Sequence, residues 1–178
     1  MAPLRRSGPA LLIVLAVAAF LVAHPSATTA APTTPERWSE PVDVSFPVSD
    51  VCAFTYTQTI VGMVKGTTFF DREGTPIREV VHVRFDGTFS ANGITVPFIV
   101  NETDHVTLHA DGSVTVVSTG ITGRAVVPGQ GLVGATIGRL TFSFGPTGEP
   151  TGFEFLAGQN NEEEFFGGIL CDLLTPAA

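Results

Sequence analysis

Basic residues are scarce in this chain. Lys65 is the only lysine, eight arginines accompany it, and together they face 17 Asp and Glu in 178 residues, a formal net charge of −8. Arg5 and Arg6 both precede residue 30, so the remainder carries a charge near −10, with its cations scattered singly from Arg37 to Arg139. A nucleic-acid backbone is held by clustered Lys and Arg, so no nucleic-acid partner is expected. Signatures of catalysis are missing too. There is no G-x-S-x-G turn, no Cys-x-x-Cys pair, no phosphate-binding glycine loop and no dinucleotide fingerprint. No cofactor is therefore expected, and the balance leans away from an enzyme. Beyond the first 30 residues the only histidines are His82, His105 and His109. Four residues of strand would hold His105 and His109 roughly 13 Å apart, too far for one ion, and no metal site is expected. Glu79, Asp86, Glu102 and Asp104 could serve as acid–base carboxylates, but two carboxylates have meaning only at a defined separation, which the fold must supply.

Long apolar runs are lacking as well. The only extended one, residues 10–23, has 14 residues, short of the roughly 20 that a helix needs to cross a bilayer. Arg5 and Arg6 precede it and the small-residue stretch SATTAA follows at residues 26–31. This is the layout of a secretory signal peptide over residues 1–30, with cleavage after Ala30. No cysteine ends the run, which disfavours a lipid anchor. The expected product is secreted, with no stable membrane anchor after cleavage.

Only two cysteines occur, Cys52 and Cys171. In an oxidising compartment such an isolated pair forms a structural disulfide, and no second ligand pair offers a metal alternative. Closing a loop of about 120 residues constrains the unfolded chain by up to about 5 kcal/mol.

Residues 31–47 are rich in proline and read as a flexible arm, with Trp38 as its one large aromatic. A single domain over residues 48–174 and a short tail at 175–178 follow. Period-two alternation predicts strands at 55–64, 67–71, 77–89, 94–100, 105–109, 113–127, 133–144 and 151–156. Between them stand DREGTP, SANG, NETD, ADGS, PGQG and GPTGEPTG, read as turns. About eight strands without crossover segments imply an all-β antiparallel meander. Closure into a small up-and-down β-barrel would remove both sheet edges, and a β-sandwich is the alternative. The phenylalanines Phe69, Phe85, Phe98, Phe142, Phe144, Phe153 and Phe155 would fill its inner face. The stretch EEEFFGGILCDLL at 162–174 has helical spacing interrupted by Gly167 and Gly168, and reads as an apolar plug tied down by Cys171.

The cleavable leader, the cysteine after a proline-rich arm, the HADGSVTVVSTG hairpin and the closing ILCDLL resemble exported actinobacterial proteins of small β-barrel type. These in turn are similar in topology to the allene oxide cyclase and dirigent barrels. That resemblance implies a cavity that holds an apolar intermediate, although no catalytic residue of those families can be matched to this chain. The expected function is non-enzymatic binding of a small apolar molecule in the interior or mouth of the barrel. A cyclase or isomerase that shapes a bound intermediate is the first alternative. An extracellular structural or interaction protein is the second.

Overall fold

A computed structural model describes residues 34–176. The expected signal peptide over residues 1–30 and its expected cleavage after Ala30 lie outside the described residues, as do residues 177–178. Seven strands form one antiparallel sheet in chain order: β1 (Glu36–Val48), β2 (Tyr56–Phe70), β3 (Pro76–Ala91), β4 (Ile94–Leu108), β5 (Val114–Val127), β6 (Gly131–Phe144) and β7 (Pro150–Asn160). The all-β antiparallel meander expected from the alternation is therefore present.

The strand count differs for physical reasons. Lys65-Gly66 does not break β2, because Gly66 faces the core, where a side chain would overlap the Trp38 indole. The NETD stretch is not a turn but the middle of β4, so two expected strands become one. Residues 36–47, expected in the arm, form β1 together with Val48. Trp38, Val42, Val44, Phe46 and Val48 alternate there beside Gly66, Gly62, Ile60, Gln58 and Tyr56, and this apolar register outweighs Pro41 and Pro47, which an edge strand tolerates. The expected turns at Asn92-Gly93 and Asp111-Gly112 are present. Asn92 and Gly93 both take positive φ, 54° and 79°, as a tight hairpin requires.

One face of the sheet is the core. Val64, Val81, Val83, Phe85, Phe89, Phe98, Val106, Leu140 and Phe142 belong to a single buried cluster, which requires the sheet to coil over its own inner face. Glycine supplies that curvature. Gly120, Gly138 and Gly158 lie side by side across β5, β6 and β7, all at positive φ, next to register shifts in both strand pairs. A Cβ at Gly138 would overlap the Ala157 carbonyl.

The helical segment after β7 consists of Glu162–Glu164, a π-type turn at Phe165–Ile169 and Leu170–Leu173. It buries Phe165, Leu170 and Leu174 in the same core, and Asn92 Nδ2 donates to the Leu174 carbonyl at 3.0 Å. The expected plug thus covers one end of the sheet.

The sheet does not close into a barrel. β1 is paired only with β2, and β7 only with β6. With seven alternating strands the two edges run in the same direction, so their meeting would be a parallel pairing foreign to the rest of the sheet.

Candidate functional site

Three of the four candidate carboxylates share the inner face and two of them, Glu102 and Asp104, are neighbours; the reason is the β4 register. Glu102 and Asp104 are two residues apart on the inner face, opposite Val83 and Val81. Glu79, opposite Val106, lies diagonally from Asp104 on the neighbouring strand. All three are buried. Each carboxylate meets a hydroxyl. Thr122 Oγ1 donates to Glu102 Oε2 and Ser118 Oγ to Asp104 Oδ1, both at 2.6 Å. Thr68 Oγ1 donates to Glu79 Oε1 at 2.9 Å and accepts from Trp38 Nε1 at 3.2 Å. Trp38 therefore folds back onto the inner face as part of a Trp–Thr–Glu relay. Asp86 is exposed on the outer face.

Burial in an apolar interior penalises the charged form. It pushes Glu102 up to about 8, with the negative charge of Asp104 adding to the effect and the Thr122 hydroxyl opposing it. Burial also pushes Asp104 up to about 6, against the Ser118 hydroxyl and the nearby His105 and His82. The two groups interact and titrate as a pair, both held toward the protonated form by burial. A cavity under the helical segment, with Phe89, Phe98, Ala125, Phe165 and Phe166 in its lining, measures about 40 Å³, space for little more than a few waters, and neither carboxylate of the pair lines it.

The alternation Val100-x-Glu102-x-Asp104-x-Val106 was the available signal for this row, obscured because Asn, Glu, Thr and Asp together resemble a turn. His82, His105 and His109 occupy exposed positions. His82 Nδ1 lies 3.0 Å from Thr103 Oγ1, and His109 Nε2 lies 3.0 Å from Thr115 Oγ1. Among the described residues no three His, Cys, Asp or Glu side chains are grouped to hold a metal, and no helix is long and apolar enough to cross a membrane. Cys52 and Cys171 form the expected disulfide, with their Cα atoms 5.5 Å apart.

A second feature lies along the unclosed side. Phe153 is on the core-facing side of β7, in register with Phe142; Phe142 is 2 % exposed and Phe153 51 %. Val44 on β1 is in register with Ile60; Ile60 is 4 % exposed and Val44 40 %. The inner faces of both edge strands thus carry apolar side chains of core type, Val44 and Phe153, that the described residues leave half-exposed. Chain order gave no sign of this, because a meander pattern reads the same whether or not its ends meet.

These features define a disulfide-clamped, all-β protein built on one unclosed meander sheet. Comparison with protein-family models, curated proteins and solved structures finds no match.

Proposed function

We propose that the protein is an exported, non-enzymatic binding module whose binding place is the unclosed side of the sheet, and that it takes an extended polypeptide segment there as an eighth strand. The observation that carries this is the half-exposure of Val44 and Phe153 beside fully buried register partners. An apolar guest is also what a resemblance to allene oxide cyclase and dirigent barrels would imply, and a cavity of about 40 Å³, too small for such a guest, supports the seam as its place.

Topology and charge specify the guest. Edges that run in the same direction accept one intervening strand antiparallel to both, the β-addition mode of peptide recognition. Pro41 and Pro47 remove two donors from β1, whereas the only proline of β7 is its first residue, so β7 is the better template. Glu36 and Glu40 stand on the core-facing side of β1, and Glu154 is the only charged residue of β7. A segment with apolar residues on one face and basic residues between them fits these edges. A second copy would bring the same acidic edges and be repelled.

The test is fluorescence anisotropy with a labelled 11-residue peptide alternating Val and Lys, matched to the 11 residues of β7. Binding is expected, about tenfold weaker to Phe153→Asp, equivalent to ~1.4 kcal/mol, and absent for a peptide with a central proline. Equal binding of the proline-broken peptide would refute strand addition. If Nile red binds the wild-type protein but not Phe153→Asp, and no peptide binds, the guest is a small apolar molecule instead.

A further inference from the structure

The outer face of the sheet holds a feature the seam does not explain. In a chain of net charge −8, a cross-strand row on β2 to β6 reads Lys65, His82, Thr103, Thr119, Arg139. The adjacent row on β2 to β4 reads Met63, Arg84, Asn101. Residues opposite or diagonal on neighbouring strands bring their Cβ atoms within about 8 Å, so Lys65, His82 and Arg84 converge on one patch.

Between them lies a trough of about 260 Å³ lined by Met63, Lys65, His82, Arg84, Asn101 and Thr103, with Val83 and Glu102. The only acid in that lining is Glu102. Its carboxylate is buried and held by Thr122, so the trough presents cations and neutral donors. Asp86 follows Arg84 along the same face and is outside the lining. Among the described residues neither Lys65 nor Arg84 takes part in an ion pair, although acids outnumber basic residues almost two to one.

Two unpaired cations of different geometry at one spot are the means of holding an oxyanion: a guanidinium that binds two oxygens at once and an ammonium that acts as a point charge. The remaining lining groups, an amide, a hydroxyl and an imidazole, suit alcohols. The trough exceeds what a bare phosphate fills. We infer that it is a binding site for a small polar molecule carrying a tetrahedral oxyanion, a sugar phosphate or sugar sulfate, with Lys65 and Arg84 on the anion and Asn101, Thr103 and His82 on its hydroxyls. The site stands on the outer face and is independent of the seam.

Isothermal titration calorimetry at low ionic strength tests it, with glucose 6-phosphate, glucose 6-sulfate, inorganic phosphate and glucose as probes. One of the two charged sugars is expected to bind more tightly than the other, which names the anion, and both more tightly than inorganic phosphate or glucose. Lys65→Gln and Arg84→Gln should each weaken binding about fivefold, corresponding to ~1 kcal/mol for an exposed charge contact. Both side chains are exposed, and unchanged circular-dichroism melting curves verify that the variants fold. Arg72→Gln, in the turn after β2, should bind as the wild type does. Equal weakening by Arg72→Gln, binding unchanged in the Lys65 and Arg84 variants, or no charged sugar bound more tightly than glucose would overturn the assignment.

Discussion

Raising the pH from 4.5 to 8.5 should destabilise this protein, and Glu102→Gln should remove most of that loss. Glu102 moves from an ordinary 4.5 to about 8 on folding, and Asp104 from 3.8 to about 6. In the folded state these carboxyls keep protons that the unfolded chain releases near pH 4. Between those values the native state binds more protons than the unfolded state, so stability falls as pH rises, beginning near pH 4 and levelling off above about pH 8. At ~1.4 kcal/mol per unit, the Glu102 shift alone corresponds to a loss on the order of 5 kcal/mol. Asp104 does not add in full, because the repulsion between the two groups would then be counted twice. The exposed Asp111 and Glu149 are held below their ordinary values by hydrogen bonds from Ser113 and Thr147. Their contribution has the opposite sign and disappears only below about pH 4, outside this window. Glutamine at position 102 can still accept the Thr122 hydroxyl and carries no charge at any pH. Urea unfolding of both proteins at pH 4.5, 5.5, 6.5, 7.5 and 8.5, followed by Trp38 fluorescence and far-ultraviolet circular dichroism, provides the measurement. The curves should meet near pH 4.5 and diverge by several kcal/mol at pH 8.5, with the variant the more stable. Parallel pH profiles for the two proteins would refute the burial of Glu102.

Three further outcomes follow from the packing. Replacing both Cys52 and Cys171 by alanine removes a bridge spanning 119 residues and should cost up to about 5 kcal/mol; a melting curve unmoved by the double substitution would show that the bridge does not constrain the chain. Phe165→Ala empties a position packed against Gly134 and Phe89 and should cost about 3–5 kcal/mol while enlarging the adjoining cavity, read by urea unfolding and xenon uptake. Gly138→Ala forces a side chain onto a backbone at φ 146° and into the Ala157 carbonyl, and should cost more than about 2 kcal/mol, whereas Gly123→Ala, with open space around it, should leave the melting temperature within a few degrees.

Period-two alternation made β3 legible because Val81, Val83 and Phe85 face inward while His82, Arg84 and Asp86 face outward, the pattern of a half-buried sheet. β1 and the middle of β4 were hidden by two opposite causes. β1 carries prolines that resemble a linker, and only its pairing with β2, a long-range fact, reveals the inward row from Trp38 to Val48. In β4 the inward positions are Glu102 and Asp104, so alternation by hydropathy fails there although alternation of direction persists. The buried acids were visible as residue types but not as a row, since Glu79 reaches the other two only through the β3–β4 register. Closure was the inference that local pattern could not carry: it depends on the parity of the strand count, and that changed when two pairs of expected strands merged and β1 was added.

The same parity explains why the disulfide matters more than its loop length suggests. Cys52 lies in the loop that follows β1, and Cys171 lies in the segment that follows β7. The bridge therefore joins the chain beyond one free edge to the chain beyond the other. In a closed barrel, hydrogen bonds between first and last strands would hold those edges in place. Here a covalent link does so at the end covered by Phe165, Leu170 and Leu174, while along the strands no ladder joins β1 to β7. A closed eight-stranded sheet does not depend on such a clamp to hold its first and last strands together. An unclosed seven-stranded one needs its edges held at a fixed spacing if a guest strand is to find both, and the two cysteines stand where that spacing is set.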